Sequence, residues 1–339
     1  MAFLLELCNY IQKDLIDIYK SKAPELTRKQ TGYLDAVRSA ENLNGVEIYP
    51  LDAGTGKIKS VVVKYVQKGC SDVIQHTCEI DNCEPEVEVA PQYDTVNINH
   101  CISTKWFKFD EAEMRKLCDP DSQWRSRIIN AHLDTFMVEL NKVLISLQAT
   151  NFGKFVPDIA PATYKDVTLL TAADAANYMG EAIILEDFLN LGVTEKPILI
   201  GAGNLSLYSK LLKIGCCNQL GEDLSQAGSY MFYRDTDVNT ILGANHFIGL
   251  RPGVVQLATW NKYVGDYKKA NDLFIKDTIV DPQTGLKLDI HIRYDDCAEV
   301  WAIKYFLNYE LIFLPSDSFA YCDDLADVNY TLHYRGIHA

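Results

Sequence analysis

The 339-residue chain has no stretch of about 18 consecutive apolar residues, so no membrane-spanning helix is expected. Its first segment, MAFLLELCNYIQKDLIDIYK, lacks a basic leader and a small-residue cleavage site, and Glu6 interrupts its apolar part. That pattern argues against a signal peptide. Leu4, Leu7, Ile11, Leu15 and Ile18 instead mark an amphipathic helix. Catalytic signatures are missing too: there is no nucleophile elbow, no triad signature and no HExxH. Basic residues are scarce, 32 Lys and Arg against 46 Asp and Glu, which leaves a net charge of −14. So acidic a chain has no strong general attraction for nucleic acid or anionic membranes. The charge is spread along the chain with no long acidic tail. No internal repeat and no low-complexity tract occurs.

Cysteine is the residue in surplus, at ten. Without an export signal these are expected to be thiols. Cys216 and Cys217 are neighbours, a spacing poorly suited to a bridge between them. Apolar residues make up 48% of the chain, enough to bury a sizeable core. The length suits one large or two ordinary domains.

The chain is organised around residues 123–148. Ile129, Leu133, Phe136, Leu140, Leu144 and Leu147 follow at steps of three or four, the period of one helix face. Asp121 and Ser122 are candidate N-caps, and Asn151, Gly153 and Pro157 close the helix. Before it, residues 21–56 read as an extended arm with little regular structure and a short helix near 33–41. Residues 57–109 read as a long antiparallel hairpin. KIKSVVVKYVQKG is the outgoing strand, and Val96, Ile98, His100 and Ile102 alternate with polar residues in the returning one. The tip, residues 69–91, is polar and acidic and has little core of its own. Residues 110–118 predict a short helix.

After the long helix, 154–170 reads as a connection. Thr171 to Asp174 resembles a capping box opening a helix that runs to Leu191 and stops at Gly192. A short buried strand, ILIG, leads to a turn and helix. The middle of the chain, through FIGLRPGVVQLATWNKYVG, is α/β in character. The last third is a β meander with one buried face. Leu286, Leu288, Ile290, Ile292 and Tyr294 form one alternating set, and Trp301, Ile303, Tyr305, Leu307, Tyr309, Leu311 and Phe313 the next. Turns lie at Asp281–Gly285 and at Asp295-Asp296. It offers the sheet on which the long helix can pack.

Several residues invite a chemical reading. Gly201-Ala202-Gly203-Asn204 follows a strand and opens a helix, but Ser206 stands where a dinucleotide fingerprint needs its third glycine, and the Gly-Lys-Ser/Thr of a Walker loop is absent. A tight turn is the simpler account. Cys70, Cys78, Cys83 and Cys101 gather in the hairpin near His76 and His100. Cys78 and Cys83, with four residues between them, have a zinc pair's spacing, but Cys70 to Cys78 is too wide; a metal site and a disulfide are the alternatives, and free thiols in a partly buried tip are the expectation. The paired acids Asp295-Asp296 and Asp323-Asp324 read as solvated turns. His132 reads as a satisfied or surface histidine. No catalytic, cofactor-binding or metal-ligating residue is assigned.

The order of these elements resembles the major capsid protein of tailed phages, the Hong Kong 97 (HK97) type of fold. Residues 176–224, 247–265 and 277–315 are similar in sequence character to the corresponding regions of phage coat proteins. The resemblance implies an α+β fold in four parts. These are an N-terminal helix and arm (1–56), an extended β-hairpin loop (57–109), a peripheral domain with the spine helix and β meander (110–170 and 266–339), and an axial α/β domain (171–265). It implies a non-enzymatic subunit without cofactors that assembles with itself into hexamers and pentamers of an icosahedral virion shell. Such a shell is built in the bacterial host cytoplasm, with portal, scaffolding or decoration proteins as partners. It encloses double-stranded DNA without sequence-specific binding. The alternatives are a cytosolic α/β enzyme holding a phosphate at 201–215, and another shell protein such as a nanocompartment.

Overall fold

A computed structural model describes residues 13, 16, 29, 31–39, 47–50, 60–65, 92–110, 123–153, 164–169, 179–191, 193, 195–202, 230–263, 269–270, 274–295, 298, 300–314 and 330–338. The expected N-terminal helix, hairpin tip, 110–118 helix beyond Asp110, N-caps Asp121 and Ser122, 171–174 capping box, Gly192 and Asp323-Asp324 lie outside these residues. The protein is α+β, and most of the described elements are strands.

The helix expected at 123–148 runs Gln123–Ala149, 27 residues and roughly 40 Å of axis. Its apolar stripe is the buried one. Ile129, Leu133, Phe136, Leu140 and Leu144 are all buried, joined by Met137 and Ile145, with Leu147 packed at the margin. Each fully buried leucine of this kind contributes roughly 2 kcal/mol. The last turn is closed by side chains. Thr150 Oγ1 and Asn151 Nδ2 both donate to the Leu147 carbonyl, at 2.9 and 2.8 Å, satisfying an acceptor the helix itself leaves open.

The described residues form nineteen elements, fifteen strands and four helices, numbered in chain order. Helix α1 is Gly32–Ser39 and α2 is the long helix. Strands β1 (Glu47–Pro50), β2 (Ser60–Tyr65) and β3 (Gln92–Asn97) form a three-stranded antiparallel sheet. The hairpin register is Ser60↔Asn97 to Tyr65↔Gln92. Two expectations change here. The arm contributes a strand, because the β-forming Ile48 and Tyr49 pair along β2 and Pro50 ends an edge that needs no donor on its free side. The hairpin also stops at Asn97. Beyond it β4 (His100–Ser103) and β5 (Phe107–Asp110) leave the outgoing strand and join the meander.

The meander is the core of a seven-stranded sheet made of β4, β5, β10 (Val255–Trp260), β11 (Lys269–Ala270), β12 (Phe274–Val280), β13 (Lys287–Asp295) and β14 (Val300–Phe313). Strand β14 pairs with β13 over 300–306, β10 over 308–313, β5 over 300–303 and β4 over 306–309. That centrality corrects the expectation of a single buried face. Asn308 and Ile312 are buried along with Leu307, Tyr309 and Leu311. The turn at 281–285 is as expected. The buried Asp281 carboxylate accepts from Thr284 N and Thr284 Oγ1 at 3.0 and 2.6 Å, and Gly285 takes a φ of 71° that a side chain would strain.

The remaining sheet has five strands in the order β6 (Lys165–Leu169), β15 (Thr331–His338), β9 (His246–Leu250), β7 (Ile198–Gly201) and β8 (Met231–Arg234). It is mixed, with β15–β6 and β7–β8 parallel. Lys165–Leu169 is therefore a strand, not a bare connection. The segment 247–265 is divided, its first half in this sheet and its second half, β10, in the meander. The C-terminal β15 likewise joins the five-stranded sheet. Helix α3 is Met179–Asn190 and α4 is Asp237–Ile241.

Candidate functional site

The long helix meets the sheets through a buried polar junction. Its stripe of apolar residues contains two polar ones, Asn141 and Gln148, both fully buried. Helix α1 lies against them. Leu34 N donates to Asn141 Oδ1 at 3.0 Å, and Tyr33 Oη donates to Gln148 Oε1 at 2.8 Å. Opposite stands Asp235, a fully buried carboxylate just after β8. Its Oδ2 accepts from Asn141 Nδ2 at 2.7 Å and from Tyr33 N at 2.9 Å, and its Oδ1 accepts from Asp237 N at 2.9 Å. Burial raises the Asp235 carboxyl above its ordinary range, and the donated hydrogen bonds oppose that shift. One carboxylate thus ties α1, α2 and the start of α4 together. Lys29 pairs with Asp237 at the edge of the same junction. Gly32 makes the approach possible, since a Cβ there would lie 2.4 Å from the Arg234 carbonyl oxygen.

A second cluster lies on the five-stranded sheet. His246 Nδ1 and His333 Nε2 are 2.8 Å apart, a hydrogen bond whose donor is set by the tautomers of the two rings. Phe152 stacks on His333 at 4.5 Å, and Tyr164 meets His246 edge-on at 4.9 Å. Arg335 lies 4.6 Å over Tyr164 and grips Asp166 with two bonds of 2.7 Å. Burial first, then the nearby Arg335 charge, lowers the His246 pKa, while Asp166 opposes them.

The residues singled out in the sequence are scattered over the fold. Gly201 ends β7, with its carbonyl accepting from Asp235 N at 2.7 Å; Gly203 and Asn204 lie outside the described residues. Cys101 is an exposed free thiol on β4, and Cys70, Cys78, Cys83 and His76 lie outside the described residues. His100 pairs with Glu310 at 3.0 Å. His132 stacks on Phe107 at 4.1 Å, and burial lowers its pKa. Asp295 accepts from Ala298 N in its turn. Among the described residues no group of three or more His, Cys, Asp or Glu is arranged to hold a metal. Among the described residues, none of the sequence candidates come together into a reaction centre.

No family model matches the chain, and no curated protein matches it. Among solved structures the chain resembles phage capsids. It is similar to the cyanophage A-1(L) capsid asymmetric unit, at 13% identity and a TM-score of 0.49, covering 81% of this chain and 87% of that one. It is similar to a chain of Mycobacterium phage Bobi, at 11% identity and a TM-score of 0.45, covering 92% of each. A third is the asymmetric unit of the bacteriophage PhiM1 mature capsid, at 12% identity and a TM-score of 0.42, covering 82% of each. All three lie under 25% identity and under a TM-score of 0.5.

Proposed function

We propose that this chain is a structural capsid subunit that assembles with copies of itself into the shell of a tailed, double-stranded DNA phage. The observation that carries the reading is the hairpin sheet: among the described residues β1, β2 and β3 pair only with one another, apart from the two sheets built around the long helix. The loop joining β2 to β3 includes the polar, acidic residues 69–91, which offer little core of their own, so a neighbouring copy is the surface that would offset the cost of ordering it.

The internal construction supports the same role. The long helix lies against β14, with Phe136 edge-on to Tyr305 and His132 stacked on Phe107 of β5. That gives a rigid wedge. In this reading the β1–β2–β3 sheet is the base of a projection, and residues 69–91, polar and acidic in sequence, are its tip. By the same reading α2 is the spine, the meander sheet, β10 included, belongs to the peripheral part, the hairpin is the extended loop, and the five-stranded sheet, β6 and β15 included, belongs to the axial part. The role is structural, the site of action is the virion, and hexamers and pentamers are the closed rings expected of repeated heterologous contacts. Portal, scaffolding or decoration proteins would complete the particle. Sedimentation velocity with negative-stain imaging of the purified full chain tests this. Rings or closed shells are the expected result, and a lone monomer opposes it.

A further inference from the structure

In a protein of net charge −14, one face of the meander is basic. The register places Lys276, His291 and Lys304 in a row across β12, β13 and β14, and Phe274, Arg293, Ala302 and Lys108 in the next row across β12, β13, β14 and β5. Neighbouring strands are about 4.8 Å apart, so each row spans roughly 10–15 Å. Lys262 joins from the loop after β10: its ammonium lies 5.9 Å from the Tyr263 ring centroid, and that of Lys276 lies 5.6 Å from the same ring. Elsewhere among the described residues five basic side chains are neutralised by acids, whereas Lys105, Lys196, Arg234 and Lys287 stand singly rather than in a row. Lys29 pairs with Asp237, Lys142 with Glu139, Lys165 with Asp187, Arg251 with Glu195 and Arg335 with Asp166. Among the described residues Lys108, Lys262, Lys276, Arg293 and Lys304 make no ion pair.

Two carboxylates on this face are already engaged, and two more, Asp295 and Asp110, stand at its end in the row of Val300. Asp289 is buried and accepts from Lys262 N and Thr278 Oγ1, both at 2.9 Å, and Glu310 pairs with His100. The positive field is felt by His291, whose pKa is pushed down to about 4 by burial first and then by Lys276, Lys304 and Lys262. Its buried Nε2 has no hydrogen-bond partner.

We propose that this face contacts the phosphate backbone of duplex DNA without reading its sequence, through Lys108, Lys262, Lys276, Arg293 and Lys304. Two features favour phosphate over an acidic protein or a single strand. A protein interface needs an apolar centre, and the exposed large apolar residues, Tyr93, Ile128, Leu189 and Ile337, all lie off these strands. Single-strand binding needs free aromatic faces for stacking, whereas Tyr263 is approached by two lysines and Trp106 by Arg293 at 4.4 Å. The duplex offers one charge per about 1.7 Å of axis, a dense match for clustered cations. The inference rests on the shell reading only for where the DNA comes from.

The test is fluorescence anisotropy of a short mixed-sequence DNA duplex titrated with the full chain at several salt concentrations. The wild type is expected to bind at low salt despite its net charge. The variant K276Q/R293Q/K304Q should bind at least about tenfold more weakly, with a log–log salt slope shallower by close to 3, about 0.9 for each phosphate no longer neutralised. K142Q, which removes a paired lysine, should change neither. Absence of wild-type binding at low salt, or equal binding by the triple variant with an unchanged melt, overturns the proposal. So does a triple variant that loses assembly while keeping its DNA affinity, since the face would then be a protein interface. Negative-stain images of the same preparations separate the two readings. Shells without DNA binding sink this proposal alone, and DNA binding without shells supports it while sinking the shell.

Discussion

Asn141, midway along the long helix, donates its side-chain amide to the buried carboxylate of Asp235 at 2.7 Å, and the same carboxylate holds the backbone N–H of Tyr33. Three segments far apart in sequence meet at that one group. Asp235→Ala would leave the Asn141 amide and the Tyr33 and Asp237 N–H groups without their acceptor, at a cost of about 3 kcal/mol or more. Asn141→Ala would remove one of the three donors to Asp235 and leave Leu34 N without its acceptor, at a cost of about 2 kcal/mol. Because the two residues share one network, the double variant should cost clearly less than the sum of the two single changes. Urea unfolding of the four proteins checks this; additive losses would show that the two groups act independently.

The helix itself was the most legible part of the sequence. Its apolar period marked Leu133, Phe136, Leu140 and Leu144, and all are buried. Asn141 and Gln148 carried a signal as well. They continue the stripe through Met137 and Leu144 at steps of four and three, so polar residues occupied core positions and required partners. The partners, Tyr33 and Asp235, could not be read, because a hydrogen bond across about a hundred residues of chain leaves no local pattern. The same limit explains β4 and β5. Alternation at Val96, Ile98, His100 and Ile102 signalled a strand but carried no information on which strand it would pair with. The meander's turn at Asp281–Gly285 was legible since its chemistry is local. The basic face was not, since Lys276, Lys304 and Lys108 are drawn together only by the register of four strands.

Leu140 is fully buried mid-helix. Leu140→Asp places a carboxylate there with no partner, a change expected to cost roughly 3–5 kcal/mol and to prevent folding, with assembly lost as a consequence. Circular dichroism decides between the two effects. A soluble variant with the native spectrum and melt would mean that this face is not a core face.

Gly32→Ala tests the docking of α1 in a different way. The added Cβ would meet the Arg234 carbonyl oxygen at 2.4 Å, and backbone cannot yield as a flexible side chain does. The expected outcome is a loss of about 2 kcal/mol or more, read as a lowered thermal midpoint. An unchanged midpoint would show that α1 does not sit against β8.

Acid should weaken the fold between pH 6.5 and 4. His291 is held down to about 4 in the folded chain, mainly by burial and then by the three lysines. An unfolded histidine takes its proton near 6.5. Its contribution is therefore fully present above pH 6.5 and is lost as the pH falls toward 4, at no more than about 1.4 kcal/mol per pH unit. His246, also lowered, acts in the same direction, whereas Asp235 and Asp289, raised by burial, act in the opposite one. His291→Phe should flatten part of the acid limb of a stability-against-pH curve. A variant with the wild-type slope would contradict the assignment.

Shell assembly is tested most directly by sedimentation velocity of the purified full chain at micromolar concentration, with negative-stain images of each fraction. Discrete species at hexamer or pentamer mass or uniform closed particles are expected, because the hairpin sheet, which among the described residues pairs only within itself, gains its further contacts from neighbouring copies. A single sharp monomer boundary, unmoved by salt or by crowding agents and empty of rings or shells on the grid, would contradict it.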